Sequence, residues 1–150
     1  MTAFEREQKR ELKTILEKAA DFHGHFGPFL VIGVRMGLIG IRRLEAKKYD
    51  GKLRVTAMLE HSVPFSCAID GIQVTTKCTI GNKKLKLIDS SGIAAKFELQ
   101  HKGQVTVMVN PVAFNRLKRR LLSENVPPEK MEKLARMVAS MPEEELFIIE

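Results

Sequence analysis

Two histidines separated by one glycine open the segment His23-Gly24-His25-Phe26-Gly27-Pro28, and they are the residues of this chain best suited to chemistry. Imidazoles at that spacing converge on one metal ion or one anionic ligand when the backbone between them is bent or extended, and Gly24 relaxes the steric limit on the bend. Pro28 suits the first turn of a helix, where its missing N–H costs nothing. The pair therefore lies beside a predicted helix N-terminus, whose partial positive charge favours an anion or a thiolate. Two ligands do not complete a metal site. Cys67 offers a third, softer donor near the start of another predicted helix, with Cys78 or His61 as possible additions. Two nitrogens and a thiolate suit zinc and leave one position for water or substrate, where the metal acts as a Lewis acid or lowers the pKa of bound water. At a helix start the dipole favours the Cys67 thiolate. Asp70, one turn later, is placed to accept a hydrogen bond from a ligating histidine, and Gln73, a further turn along, to contact a bound ligand.

Each residue also has a purely structural role to weigh. A cysteine on a partly apolar helix behaves as a small core side chain. His23 and His25 can hydrogen-bond the loop and cap helix ends. Asp70 reads equally as a solvated or capping carboxylate, and His61 beside Glu60 and His101 in the turn Gln100-His101-Lys102-Gly103 read as exposed.

Composition bounds the answer. One hundred and fifty residues, 44% hydrophobic and 29% charged, suit one globular domain spanning 1–150 with a proper core. The longest apolar run, Phe26 to Ile41, is interrupted by Arg35 and four glycines, so no membrane span is expected. The opening Met-Thr-Ala-Phe-Glu-Arg-Glu lacks a basic-then-apolar signal pattern, which gives a cytoplasmic expectation. Two cysteines are too few for a disulfide scaffold. If one helix joins them, their backbones lie about 16 Å apart, too far for a bridge; a break in that helix reopens the question. The net charge of +7 is uneven, with ten Lys or Arg against Asp89 and Glu98 between residues 75 and 120. Such a basic middle attracts nucleic acid or a phosphorylated ligand, or is simply a solvated face. With no Trp and one Tyr there is no evident base-stacking platform. No Gly-x-Ser-x-Gly elbow, P-loop, dinucleotide fingerprint or Cys-x-x-Cys pair occurs.

The elements that must position these residues follow from periodicity. Thr2-Ala3-Phe4-Glu5 is a possible capping box, followed by a helical stripe through Leu12, Ile15, Leu16, Ala19 and Ala20 that delivers the chain to the histidine loop. A buried helix is predicted from Pro28 to about Leu44, with Gly33, Gly37 and Gly40 on one face for close approach to a helix, a ligand or a second copy of the chain. Leu53–Leu59 reads as a strand, and Ser62 caps a helix from Val63-Pro64 to about Lys77. The apolar stretch Leu85–Ile88 follows, and strands at 94–99 and 105–109 form an antiparallel meander. Helices from Asn110-Pro111 and over Glu129–Ser140 come next, and Glu145–Ile149 ends as an edge strand or a docked tail. The fold class is α+β, an antiparallel sheet packed with several helices.

Two stretches together resemble the formylmethanofuran dehydrogenase E-subunit family. One is Phe22-His23-Gly24-His25-Phe26-Gly27-Pro28 running on to Gly37; the other is Cys67-Ala68-Ile69-Asp70-Gly71-Ile72-Gln73-Val74, followed by Thr76-Lys77-Cys78-Thr79-Ile80-Gly81-Asn82. The ending Pro142-Glu143-Glu144-Glu145-Leu146-Phe147 is also similar to that of the family's core domain. The family pattern has a cysteine where this chain has Gly27 and a glycine where it has Phe29, and the C-terminal zinc-finger module of many relatives has no counterpart in these residues. The resemblance implies an α+β core that forms homodimers. The family's name derives from a molybdenum- or tungsten-containing methanogenic enzyme, whose own activity is not transferred to an isolated core. Residues and resemblance together give a first expectation: metal ligands His23, His25 and Cys67, with Asp70, Gln73 and Cys78 around a bound zinc-like ion or small ligand, in an enzyme or accessory factor of molybdenum- or tungsten-linked one-carbon metabolism. The alternatives are a non-catalytic metabolite-binding module and a basic protein that binds nucleic acid or another protein chain.

Overall fold

The structure, a computed structural model, describes residues 1–122 and 125–150. The chain order is α1 (Ala3–His23), α2 (Pro28–Leu44), β1 (Leu53–Leu59), α3 (Cys67–Thr76), β2 (Leu85–Ile88), β3 (Ile93–Leu99), β4 (Gly103–Val109), α4 (Pro111–Leu122), α5 (Pro128–Ser140), α6 (Glu143–Leu146) and β5 (Phe147–Ile149). Helices and sheet segregate, so the class is α+β as expected.

The sheet order is β2-β1-β3-β4-β5. Pairing is antiparallel between β1 and β3, β3 and β4, and β4 and β5, so the expected meander is present. The expectation of an antiparallel sheet needs one qualification, that the sheet is mixed: β2 runs parallel to β1, with Val55 opposite Leu85. Its cause is the connection. Helix α3 carries the chain from the end of β1 back to the end where β1 began, and a strand entered after such a crossover runs parallel. The C-terminal residues form the edge strand β5, closed by reciprocal Thr106–Glu150 backbone bonds of 2.9 Å.

Alternating side chains face the core. Leu53, Val55, Ala57 and Leu59 on β1 and Ile93, Ala95, Phe97 and Leu99 on β3 are buried, while their neighbours face outward. Helix α2 lies on β3 and β4 and is flanked by α3 and α5, which is why its residues are apolar on nearly every side. Its one internal cation, Arg35, serves a neighbour. The guanidinium donates from Nη1 to the carbonyls of Val138 and Met141, both at 2.7 Å, and lies over the Phe147 ring. It thereby adds a donor to the Val138 carbonyl, which the capping Met141 N–H reaches only at 3.4 Å, and to the Met141 carbonyl just past the end of α5.

The glycine face of α2 is used within the chain. A Cβ at Gly33 would stand 2.0 Å from the Ala68 carbonyl oxygen, one at Gly37 2.7 Å from Thr75 Cβ, and one at Gly40 2.5 Å from the Phe97 ring. Reciprocally, a Cβ at Gly71 of α3 would stand 2.5 Å from the Leu30 oxygen and the Val34 nitrogen. Of the three partners considered for this face, it is α3 and the sheet that fill it. The two helices meet backbone to backbone, and this contact sets the heads of α2 and α3 side by side.

Candidate metal centre

The site is built where three helix ends meet: the C-terminus of α1 and the N-termini of α2 and α3. Thr2 and Glu5 form the capping box that starts α1, with the Glu5 N–H donating to Thr2 Oγ1 at 3.1 Å. The helix ends on His23 because Gly24 takes up a left-handed conformation (φ 99°), donating its N–H to the Ala20 carbonyl at 2.8 Å. This reversal folds His25 back beside His23, with ring centroids 4.6 Å apart. Gly27 then caps α2, and Pro28 opens it.

Cys67 is the first residue of α3, so the helix begins later than the start expected at Val63-Pro64. The segment before it makes tighter i to i−3 contacts, Cys67 N–H to Pro64 O and Ala68 N–H to Phe65 O, and regular helix begins only at Cys67. The Val63–Pro64 peptide is cis. The Phe65 ring packs edge-on against Phe29 and also touches Phe114, holding this segment to α2 and α4.

One ligand atom each from His23, His25 and Cys67 lies within 4.8 Å of the others, the one such group of potential metal ligands among the described residues. A tetrahedral zinc with bonds of about 2.0–2.3 Å holds its donors about 3.3–3.7 Å apart. Side-chain rotations of an ångström or so would therefore close the group around an ion. The donor set fits the ion in a second respect. His23 Nδ1 is hydrogen-bonded to Asp70 Oδ2 at 2.6 Å, and its other nitrogen, Nε2, is buried without any partner. A buried polar atom left unpaired costs about 1–3 kcal/mol, and a metal ion would remove that cost.

Asp70 thus occupies the position foreseen for it, accepting from the outer nitrogen of a histidine. Gln73 does not reach the cluster directly. Its Nε2 donates to Asp70 Oδ1 at 3.2 Å, and its Oε1 accepts the Ile80 N–H at 3.1 Å. Cys78 is not brought to the site. It lies past the far end of α3, wholly buried, with its thiol donating to the Leu53 carbonyl at 3.3 Å. His61 and His101 are exposed, as expected.

Electrostatics at the cluster correct one expectation. Burial, and then the neighbouring Asp70, push the Cys67 thiol above its ordinary value. The Cys67 N–H at the helix start opposes this rise only in part, and the first amides of the helix also bond to the Pro64, Phe65 and Ser66 carbonyls. His25, although exposed, is moved the other way: partial desolvation and then His23 lower its pKa from 6.5, the direction that favours the neutral, metal-binding imidazole. Both cysteines are free thiols. Sequence reasoning missed the Ile80 amide as part of this arrangement; the signal was the turn-forming Thr79-x-x-Asn82, whose side chains lock that loop.

Comparisons with known proteins bear on this geometry. The family described as FmdE, molybdenum formylmethanofuran dehydrogenase operon, matches residues 22–148. A curated protein of Archaeoglobus fulgidus, named a probable S-adenosyl-L-methionine-binding protein, is 37% identical over an alignment covering 53% of this chain. The chain spans only 22% of that relative's length. The crystal structure of a tungsten formylmethanofuran dehydrogenase E-subunit (FmdE)-like protein from Syntrophus aciditrophicus superposes with a TM-score of 0.63. That likeness covers 93% of this chain and 70% of the other at 20% identity, so it concerns the fold. With both histidines, Cys67 and Asp70 inside one matched span that takes in most of the sequence, the chain belongs to the FmdE family.

Proposed function

We propose that this FmdE-family chain binds one divalent transition metal, zinc by its donor chemistry, through His23, His25 and Cys67. The observation that carries the reading is the buried, unpartnered Nε2 of His23, whose Nδ1 is held by Asp70, within a group of three nitrogen and sulfur donors. A bound zinc would supply Lewis acidity at an open fourth position. The chain's own part is to hold His25 neutral, to fix the His23 ring through Asp70 and to keep Cys67 out of bulk water. Gly27 contributes by leaving space: a Cβ there would stand 3.4 Å from His25 Nε2, so the glycine keeps that side of the cluster open to a small ligand. The family context of this activity is molybdenum- or tungsten-linked one-carbon metabolism, in a catalytic or accessory role.

The test is the metal content of native, tag-free protein by plasma mass spectrometry, alongside a Cys67→Ser/His25→Ala variant. Near-stoichiometric metal that is lost in the variant supports the reading. Absence of metal after reconstitution under reducing conditions overturns it in favour of a metal-independent ligand site. Titrating S-adenosylmethionine into metal-free and zinc-loaded protein then asks whether the ligand named for the Archaeoglobus relative applies to this chain.

A further inference from the structure

The cluster does not end at its ligands. Gln73 is the central link of a chain of hydrogen bonds that starts at His23 and ends on a backbone amide in the loop after the C-terminal end of α3. His23 Nδ1 pairs with Asp70 Oδ2 at 2.6 Å, Gln73 Nε2 donates to Asp70 Oδ1 at 3.2 Å, and the Ile80 N–H donates to Gln73 Oε1 at 3.1 Å. The last bond fixes the direction of the others. A backbone N–H can only donate, so Gln73 must turn its oxygen to Ile80 and its NH₂ to Asp70. Both carboxylate oxygens of Asp70 are then engaged, which favours the orientation that faces His23.

The far end of the relay is itself held. Asn82 Oδ1 accepts the Thr79 and Lys84 N–H groups, both at 3.0 Å, and its Nδ2 donates to the Lys77 carbonyl at 2.7 Å. The Asn82 N–H donates to Thr79 Oγ1 at 3.0 Å, and the Leu85 N–H to the Thr79 carbonyl at 3.2 Å, tying the loop to the start of β2. Lys77, in the left-handed conformation that ends α3, donates its N–H to the Gln73 carbonyl at 2.9 Å. The stretch Thr76–Asn82 carries no ligand of the cluster, but its fold presents one amide to Gln73.

We propose that Gln73 is the positioning residue of the metal centre: anchored on the Ile80 amide of the Thr79–Asn82 turn, it locks Asp70 so that His23 keeps its proton on Nδ1 and offers Nε2 to the ion. This rests on the metal reading above and assigns the 76–82 segment a place in the site. A histidine that must reorient before binding holds metal more weakly, and loss of such outer partners costs about 10–100-fold in affinity. Gln73 acts through Asp70, so the lower end applies.

Two variants test it. Gln73→Glu retains an oxygen for the Ile80 N–H but replaces the donor to Asp70 with a second carboxylate, and Gln73→Met removes both bonds at similar volume. Thermal unfolding first establishes that each variant is folded. The readouts are zinc affinity by chelator competition and the long-range ¹H–¹⁵N spectrum of the His23 ring in metal-free protein, which reports which nitrogen carries the proton. The expected result is about a tenfold loss of zinc affinity in both variants, together with a mixed-tautomer signal in place of a pure Nδ1–H signal in the wild type. Asn82→Ala should reproduce part of the effect from a distance. Wild-type affinity and an unchanged His23 signal in a folded Gln73→Met would overturn the assignment. If the wild type takes up no zinc, the metal reading fails on its own, and the tautomer comparison still decides whether Gln73 positions the ring.

Discussion

Replacing Gly33 by alanine should separate two helix heads that must lie side by side for the cluster to exist. The new Cβ would stand 2.0 Å from the Ala68 carbonyl oxygen, about 1.4 Å inside the 3.4 Å of ordinary contact. The obstacle is backbone, so no side-chain rotation relieves it, and α3 must move. Forcing a methyl into a packed interior costs about 1–3 kcal/mol, and a clash with backbone belongs at the upper end. Against this, alanine is about 1 kcal/mol better than glycine inside a helix. The net loss is about 2 kcal/mol, which lowers the melting temperature by about 4–8 °C in a chain of this size. Because Ala68 follows Cys67 directly, the shift also carries the thiol away from the histidines, so zinc affinity falls with stability. Gly51→Ala is the control: its nearest obstacle is the flexible Lys84 Nζ at 3.6 Å, and its melting temperature should match that of the wild type. Calorimetric melting of the metal-free proteins reads the difference. A Gly33→Ala protein that melts with the wild type and binds zinc equally well would refute the view that close α2–α3 approach builds the site.

Three further outcomes follow from the same geometry. Gly27 has ordinary extended backbone (φ −135°), so Gly27→Cys is sterically accepted, and its thiol beside His25 should raise zinc affinity about tenfold or more, equivalent to about 1.4 kcal/mol; unchanged affinity in a chelator competition would place the open position elsewhere. Zinc binding should release protons near neutral pH, because the raised pKa keeps Cys67 a thiol until metal displaces its proton, whereas His25, with its pKa lowered, has none to give. Calorimetry in two buffers of different ionisation enthalpy should therefore find about one proton fewer per zinc in Cys67→Ser, with affinity in the wild type rising with pH, and an equal proton count in both proteins would remove Cys67 from the ligand set. Finally, we expect the homodimer implied by the family, with light scattering giving twice the chain mass of 17.0 kDa; a monomer across a useful concentration range would discard it.

Much of the fold is legible in the sequence because periodicity and caps agree with it. Pro28 and Leu44 bound α2 as read, and the Thr2–Glu5 capping box forms. Two features are not local and could not be read that way. Whether β2 pairs parallel depends on the path of α3, and the partner of the glycine face depends on which element crosses it. The site divides in the same manner. Its ligands sit in two compact motifs with chemical character of their own, and Asp70 follows from helical spacing. Gln73 does not, since its role depends on a loop seven residues on folding back to meet it. Cys78 could have been set apart from the start: the helical spacing that argues against a disulfide with Cys67 also puts the two thiols at opposite ends of α3.

Whether His23, His25 and Cys67 share one ion is decided by a zinc competition titration of the wild type against single alanine variants of these three residues and of His101. One tight zinc per chain is expected, weakened severely by each of the first three changes and untouched by His101→Ala. Equal affinity across all four variants, or binding that depends on His101, would contradict the assignment.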